Sequence, residues 1–137
     1  MSVTDEKSSK DLMGAAGVHF VAFKLSLRGF IALPTIRNTA GIDLLVSNPK
    51  TRRQAVLQVK TSANNAKVWP TSKPEKCLRG LNSYDAFLRY LPEKETFEAF
   101  LETGDRVADQ IAENAKNYGQ RGRKELNSLE SRHAPRD

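Results

Sequence analysis

The sequence predicts an α+β domain in which a helix leads into a mixed, mainly antiparallel sheet with flanking helices. Three observations predict it. Apolar residues recur at spacings of three and four from Leu12 to Leu27, the period of a helix face. Two strand-like runs, 41–47 and 54–61, flank a turn that begins Asn48-Pro49. After a second pair of strand-like runs, Val107, Ile111 and Ala115 fall at four-residue steps.

Taken in order, residues 1–10 are polar and charged and read as a flexible tail. The first helix then puts Leu12, Ala16, Phe20, Phe23 and Leu27 on one face, with Asp11 or a nearby serine as its cap and Gly29 as its stop. Phe30–Ile36 is a short strand in which Pro34 points to an edge or a bulge. Residues 41–47 and 54–61 form an antiparallel hairpin with a basic tip, Lys50, Arg52 and Arg53. Residues 62–81, with Pro70 and Pro74, read as a loop around Val68-Trp69. Tyr84–Leu91 and Thr96–Leu101 read as strands around the turn Pro92-Glu93-Lys94, although residues 97–112 suit the start of a helix equally well, and Asp105–Tyr118 is a helix. Residues 11–119 make one domain, and residues 120–137 read as a frayed tail.

The chain has 137 residues, a length suited to a single domain. No apolar run reaches the roughly 18 residues of a membrane span, and the first residues lack the apolar core of a signal peptide. Cys77 is the single cysteine, which excludes an internal disulfide and a cysteine zinc cluster and makes a reducing, cytoplasmic compartment the simplest expectation. The net charge of +6 is unevenly spread. Residues 1–79 hold 13 Lys/Arg against 5 Asp/Glu, and residues 80–137 hold 9 against 11. A basic first half suits an anionic partner, with nucleic acid the first candidate; a solvated basic surface suits the same count.

Side chains alternate along a strand, so Gln58 and Lys60 share one face of 54–61, opposite Leu57 and Val59. Pairing Leu44 with Leu57 matches apolar to apolar and sets Asp43 across from Gln58. Asp43, Gln58 and Lys60 then converge. A carboxylate, a neutral oxygen donor and a lysine suit phosphodiester hydrolysis. Asp43, the Gln58 side-chain carbonyl and the Val59 backbone carbonyl would hold Mg²⁺ or Mn²⁺, and Lys60 would offset charge on the phosphate. Read alone, Gln-x-Lys is equally the wet face of a strand, and an Asp after glycine is equally a turn residue.

The segments Gly41-Ile42-Asp43-Leu44-Leu45-Val46 and Leu57-Gln58-Val59-Lys60-Thr61-Ser62 resemble the D…(E/Q)xK core of the PD-(D/E)XK nuclease superfamily. The nearest resemblance within it is to small bacterial proteins of unassigned function related to restriction endonucleases and Holliday-junction resolvases. The helix Gly14-Ala15-Ala16-Gly17-Val18, then Gly29, Asn38-Thr39-Ala40-Gly41-Ile42-Asp43 and Trp69-Pro70 extend the likeness over residues 12–70. It implies a restriction-endonuclease-like core with α/β/α layering, a Mg²⁺-dependent DNA endonuclease and a homodimer. Two family carboxylates are missing: Val18 stands where the helix glutamate falls, and Gln58 replaces the strand glutamate. An ion held by one carboxylate binds weakly, and the alternative is a catalytically degenerate module that binds nucleic acid or a protein without cutting. His19, beside the vacant glutamate position, is a candidate accessory base or ligand, and equally a packing residue. Lys50, Arg52, Arg53, Lys67, Lys73 and Lys76 are the candidate nucleic-acid contacts near the site. Trp69 reads as an anchor of the sheet edge and Cys77 as a small buried hydrophobe.

Overall fold

The computed structural model describes residues 3–36, 41–63, 68–70, 73–121 and 128–130. Helix α1 (Val3–Leu27) leads into β1 (Ile31–Pro34), β2 (Leu44–Ser47) and β3 (Gln54–Ser62). A short strand β4 (Val68–Pro70) and a 3₁₀ turn, Pro74–Lys76, precede β5 (Ser83–Leu91). A second 3₁₀ turn, Pro92–Lys94, joins it to β6 (Thr96–Thr103), and α2 (Gly104–Arg121) and β7 (Ser128–Glu130) follow. The main sheet has five strands in the order β1-β2-β3-β5-β6, and β4 pairs with β7 separately. All neighbours in the main sheet are antiparallel except β3 and β5, so the sheet is mixed and the class is α+β. Among the described residues no helix is long and apolar enough to cross a membrane.

The two helices lie on opposite faces. Helix α1 packs on β1 and β3, over a core of Val21, Leu44, Val46, Leu57, Ala86 and Leu88. Helix α2 packs on β5 and β6, over Trp69, Phe87, Phe100, Val107 and Ile111. The period-two alternation of the strands divides these clusters: Leu57, Val59 and Ala86 face α1, whereas Phe87 and Phe100 face α2. Each helix covers only part of its face. The β5–β6 half is open on the α1 side, and the β1–β2 half is open on the α2 side. There Ile31, Leu33, Leu45 and Leu81 are exposed.

The hairpin β2–β3 has the expected register, with Leu44 opposite Leu57, and lies at the middle of the sheet. Its tip is held by Asn48, whose Oδ1 accepts the Lys50 N–H at 2.9 Å. The strand containing Pro34 is an edge, as its missing N–H requires.

Four expectations are corrected. Residues 3–10 are helical rather than a loose tail, so Asp11 lies inside α1 and does not cap it. Glu6, Lys7 and Lys10 are residue types of good helix propensity. The buried stripe of α1 is Gly17 and Val21, whereas Leu12, Phe23 and Leu27 are exposed. The middle of this helix is apolar nearly all round, so spacing alone could not choose its face. The choice is made by Gly17, where even a methyl group would collide with the Thr61 side chain on β3. Residues 62–81 hold a strand as well as loop, and Trp69 is fully buried rather than an edge anchor. Its indole N–H donates to the Leu88 carbonyl at 2.7 Å. Of the stretch from Gln120 that was expected to fray, α2 takes in Gln120 and Arg121 and 128–130 is a strand, and the rest lies outside the described residues.

The stop at Gly29 is as expected. With φ of 88°, Gly29 allows its own N–H to reach Ser26 O and that of Phe30 to reach Leu25 O, each at 3.0 Å. This is the double bond of a Schellman motif, and Phe30 and Leu25 both pack on the α1 core.

Candidate active site

Asp43 sits just before β2, where the ladder to β3 departs from regular pairing. Its N–H donates to Leu57 O at 2.8 Å, and its carbonyl accepts the Thr35 N–H at 3.0 Å. The side chain then replaces a backbone partner: Oδ2 accepts the Val59 N–H at 2.7 Å. Asp43 is thus fixed by three bonds. Val59, whose carbonyl is the expected metal donor, meets Asp43 through its N–H.

Gln58 and Lys60 follow on β3, on the face that carries α2, and both are partly buried. The parallel neighbour β5 sets Asp85 beside Gln58 and Phe87 beside Lys60. Asp85 is buried to 1% exposure, and its Oδ2 has no hydrogen-bond partner among the described residues. Burial pushes its pKa up from 3.8 to about 6; Lys60 opposes that rise and Asp43 adds to it. Burial likewise pulls the Lys60 ammonium below its ordinary range, against the attraction of Asp85, Cys77 and Asp43. These mutual effects mark Asp43, Lys60 and Asp85 as one electrostatic cluster. Cys77, partly rather than fully buried, packs beside the Trp69–Phe87–Phe100 group. Its thiol pKa is raised by burial first and by Asp85 second.

Asp85 is the site residue that sequence reasoning missed. In Ser83-Tyr84-Asp85-Ala86-Phe87-Leu88 a lone acid inside an apolar run was the available signal, because such a residue must lie against a partner or a ligand.

The remaining candidates scatter. Val18 packs against the α1-side core, on the face opposite Gln58 and Lys60, and His19 is exposed on α1. Neither joins the cluster: α1 crosses β3 on the wrong face for its side chains to do so. Lys73 and Lys76 are exposed on the 3₁₀ turn that leads to Cys77, beside the site, and Lys67 lies outside the described residues. Lys50, Arg52 and Arg53 were expected near the site and are not. Arg53 precedes β3 and lies seven residue steps from Lys60, roughly 23 Å at the rise of an extended strand.

Among the described residues no three His, Cys, Asp or Glu side chains gather as a metal-binding group. The oxygen donors at hand are two carboxylates, Asp43 and Asp85, and the Gln58 amide. A buried carboxylate oxygen lacking a donor is the atom a cation would satisfy, so this set fits a hard divalent ion. No family model matches this chain, and neither do any curated protein or solved structure.

Proposed function

We propose that this protein is a Mg²⁺-dependent endonuclease that hydrolyses phosphodiester bonds in DNA, with Asp43, Gln58, Lys60 and Asp85 as its working residues. The observation that carries the reading is the buried, unpartnered Oδ2 of Asp85, on the same sheet face as Gln58 and Lys60. Asp85 supplies the second carboxylate that the sequence pattern lacked. The resemblance to PD-(D/E)XK nucleases supports the same chemistry, and the helix-then-mixed-sheet architecture agrees with it. Asp43 Oδ1, Asp85 and the Gln58 side-chain oxygen would hold the ion. Bound there, it supplies an acidified water and charge neutralisation at the phosphate. Lys60 Nζ donates to a phosphate oxygen and offsets charge that grows in the transition state, an effect strengthened by its partial burial. Lys73 and Lys76 would hold the flanking phosphates.

A specific observation favours a second reading, a degenerate module that binds without cutting. At the position where the resemblance puts a helix carboxylate, Val18 is turned into the opposite core. Calorimetry with Mn²⁺ on the wild type, Asp43→Asn and Asp85→Asn separates the two, combined with cleavage assays on linear, branched and single-stranded DNA. The nuclease reading expects binding and cutting that each substitution abolishes. A wild type that binds no ion and cuts none of the substrates establishes the second reading. A homodimer has the exposed Ile31, Leu33, Leu45 and Leu81 patch available to it.

A further inference from the structure

The open half of the sheet on the α1 side forms a groove of about 630 Å³, within the range of small-ligand sites. Its floor is partly aromatic. Phe20 on α1 and Phe97 on β6 meet at 5.2 Å between ring centroids, and Tyr84 on β5 lies alongside. Its polar groups are of two kinds. Asn48, Gln54 and Asn82 contribute amides, and Lys24, Arg28 and Arg53 contribute cations. No Asp or Glu lines the groove, and none of these three cations is paired with a carboxylate among the described residues. Lys24 Nζ stands 5.5 Å from the Phe20 ring centroid, over the aromatic floor. Of the hairpin-tip cations that lie too far from Lys60, Arg53 therefore borders a different surface.

We infer that this groove holds an unpaired nucleotide of a single strand, with its base against the Phe20, Tyr84 and Phe97 surface and its phosphates on Lys24, Arg28 and Arg53. Three features together select this occupant. Aromatic surface accepts any base, amides can bond base edges, and unpaired cations attract phosphates. A fatty acid would use the floor and the cations and leave the Gln54 and Asn82 amides unused. The inference rests on the proposed function only in choosing nucleic acid as the partner; the groove lies on the face of the sheet opposite Asp43, Lys60 and Asp85.

The test is fluorescence anisotropy with labelled (dT)12 in EDTA, on the Asp43→Asn protein, so that neither metal nor cutting enters. Binding is expected, with a 12-base-pair duplex at least tenfold weaker. The log–log salt slope should be about −2, from three phosphates at about −0.7 each. Ala99→Trp, which fills the groove, and the exposed pair Lys24→Glu/Arg28→Glu should each weaken (dT)12 at least tenfold, with unchanged circular dichroism. Failure of (dT)12 to bind while dodecanoate does makes the groove an amphiphile site and overturns the inference. Equal duplex binding overturns it too, by making the cations a backbone contact. Loss of (dT)12 binding on Asp85→Asn, but not on Lys24→Glu/Arg28→Glu, places the strand at the carboxylates. That result overturns the inference and leaves the nuclease reading standing. Conversely, groove binding by a protein that neither binds metal nor cuts supports the inference while the nuclease reading falls.

Discussion

The Asp43 carboxylate accepts the Val59 N–H at 2.7 Å and so fills a place in the β2–β3 ladder that a backbone carbonyl would otherwise take. The side chain proposed to hold the ion is therefore also part of the sheet. Asp43→Ala should cost about 1–3 kcal/mol of stability by orphaning that N–H, in addition to abolishing cleavage. Asp43→Asn retains an acceptor and should abolish cleavage with most of the stability kept. Urea denaturation of the two variants beside the wild type checks this; equal stability of all three would show that the bond contributes nothing.

Asp85 should make stability fall as the pH rises. Its folded pKa, about 6, lies above the ordinary 3.8, so between these values the folded chain holds a proton that the unfolded chain has released. The contribution is fully present below the unfolded value and is lost as the pH rises through the folded one. At ~1.4 kcal/mol per pH unit, the wild type should lose about 3 kcal/mol relative to Asp85→Asn between pH 3.5 and pH 7. Denaturation midpoints of both proteins across that range measure the difference. A difference that does not change with pH would mean that Asp85 ionises normally in the folded state.

Lys60→Ala and Lys60→Met should each lower the cleavage rate on the order of 10²–10³-fold while leaving Mn²⁺ binding in place. The proposed role of the ammonium is at the phosphate, and the ion is held by oxygen. Calorimetry and single-turnover cleavage separate these effects, and loss of metal binding in both variants would place Lys60 among the groups that organise the ion.

Val18→Glu should not restore a nuclease carboxylate. It would set a charge against Val21, Leu44 and Leu57, on the far side of the sheet from Lys60. The expected result is a loss of about 1–3 kcal/mol in stability and no gain in Mn²⁺ affinity. Tighter metal binding in this variant would mean that α1 can present its side chains to the site.

Much of the fold was legible because local rules point the same way along the chain. The Leu44–Leu57 register follows from matching apolar positions, the Gly29 stop from its freedom to adopt positive φ, and the edge position of β1 from Pro34. The face of α1 was not legible, because its middle is apolar nearly all round and only contact between Gly17 and Thr61 selects the buried side. Of the candidate site, the sequence pattern brought Asp43 to β3 beside Gln58 and Lys60, and in the structure Asp43 meets β3 through Leu57 O and the Val59 N–H. Asp85 stood out as a lone acid in an apolar run, but its place beside the others was out of reach for a different reason. It joins them only through the parallel pairing of β3 with β5, a contact between distant parts of the chain that no local pattern announces. The separation of the hairpin-tip cations from Lys60 could have been read from strand length alone, since seven extended residues span too far for one patch.

That parallel pairing also bears on how the molecule assembles. The hairpins β2–β3 and β5–β6 each close over a short turn, whereas Val56 and Ser83, partners in the β3–β5 ladder, are about 27 residues apart. Loop-closure entropy makes such a distant parallel contact the slow one to form. Asp43, Gln58 and Lys60 belong to the first hairpin and Asp85 to the second, so the cluster exists only once the two have docked. An ion gripped by both Asp43 and Asp85 would act as a clasp between two separately formed units, and its release would loosen the seam between them before either hairpin came undone.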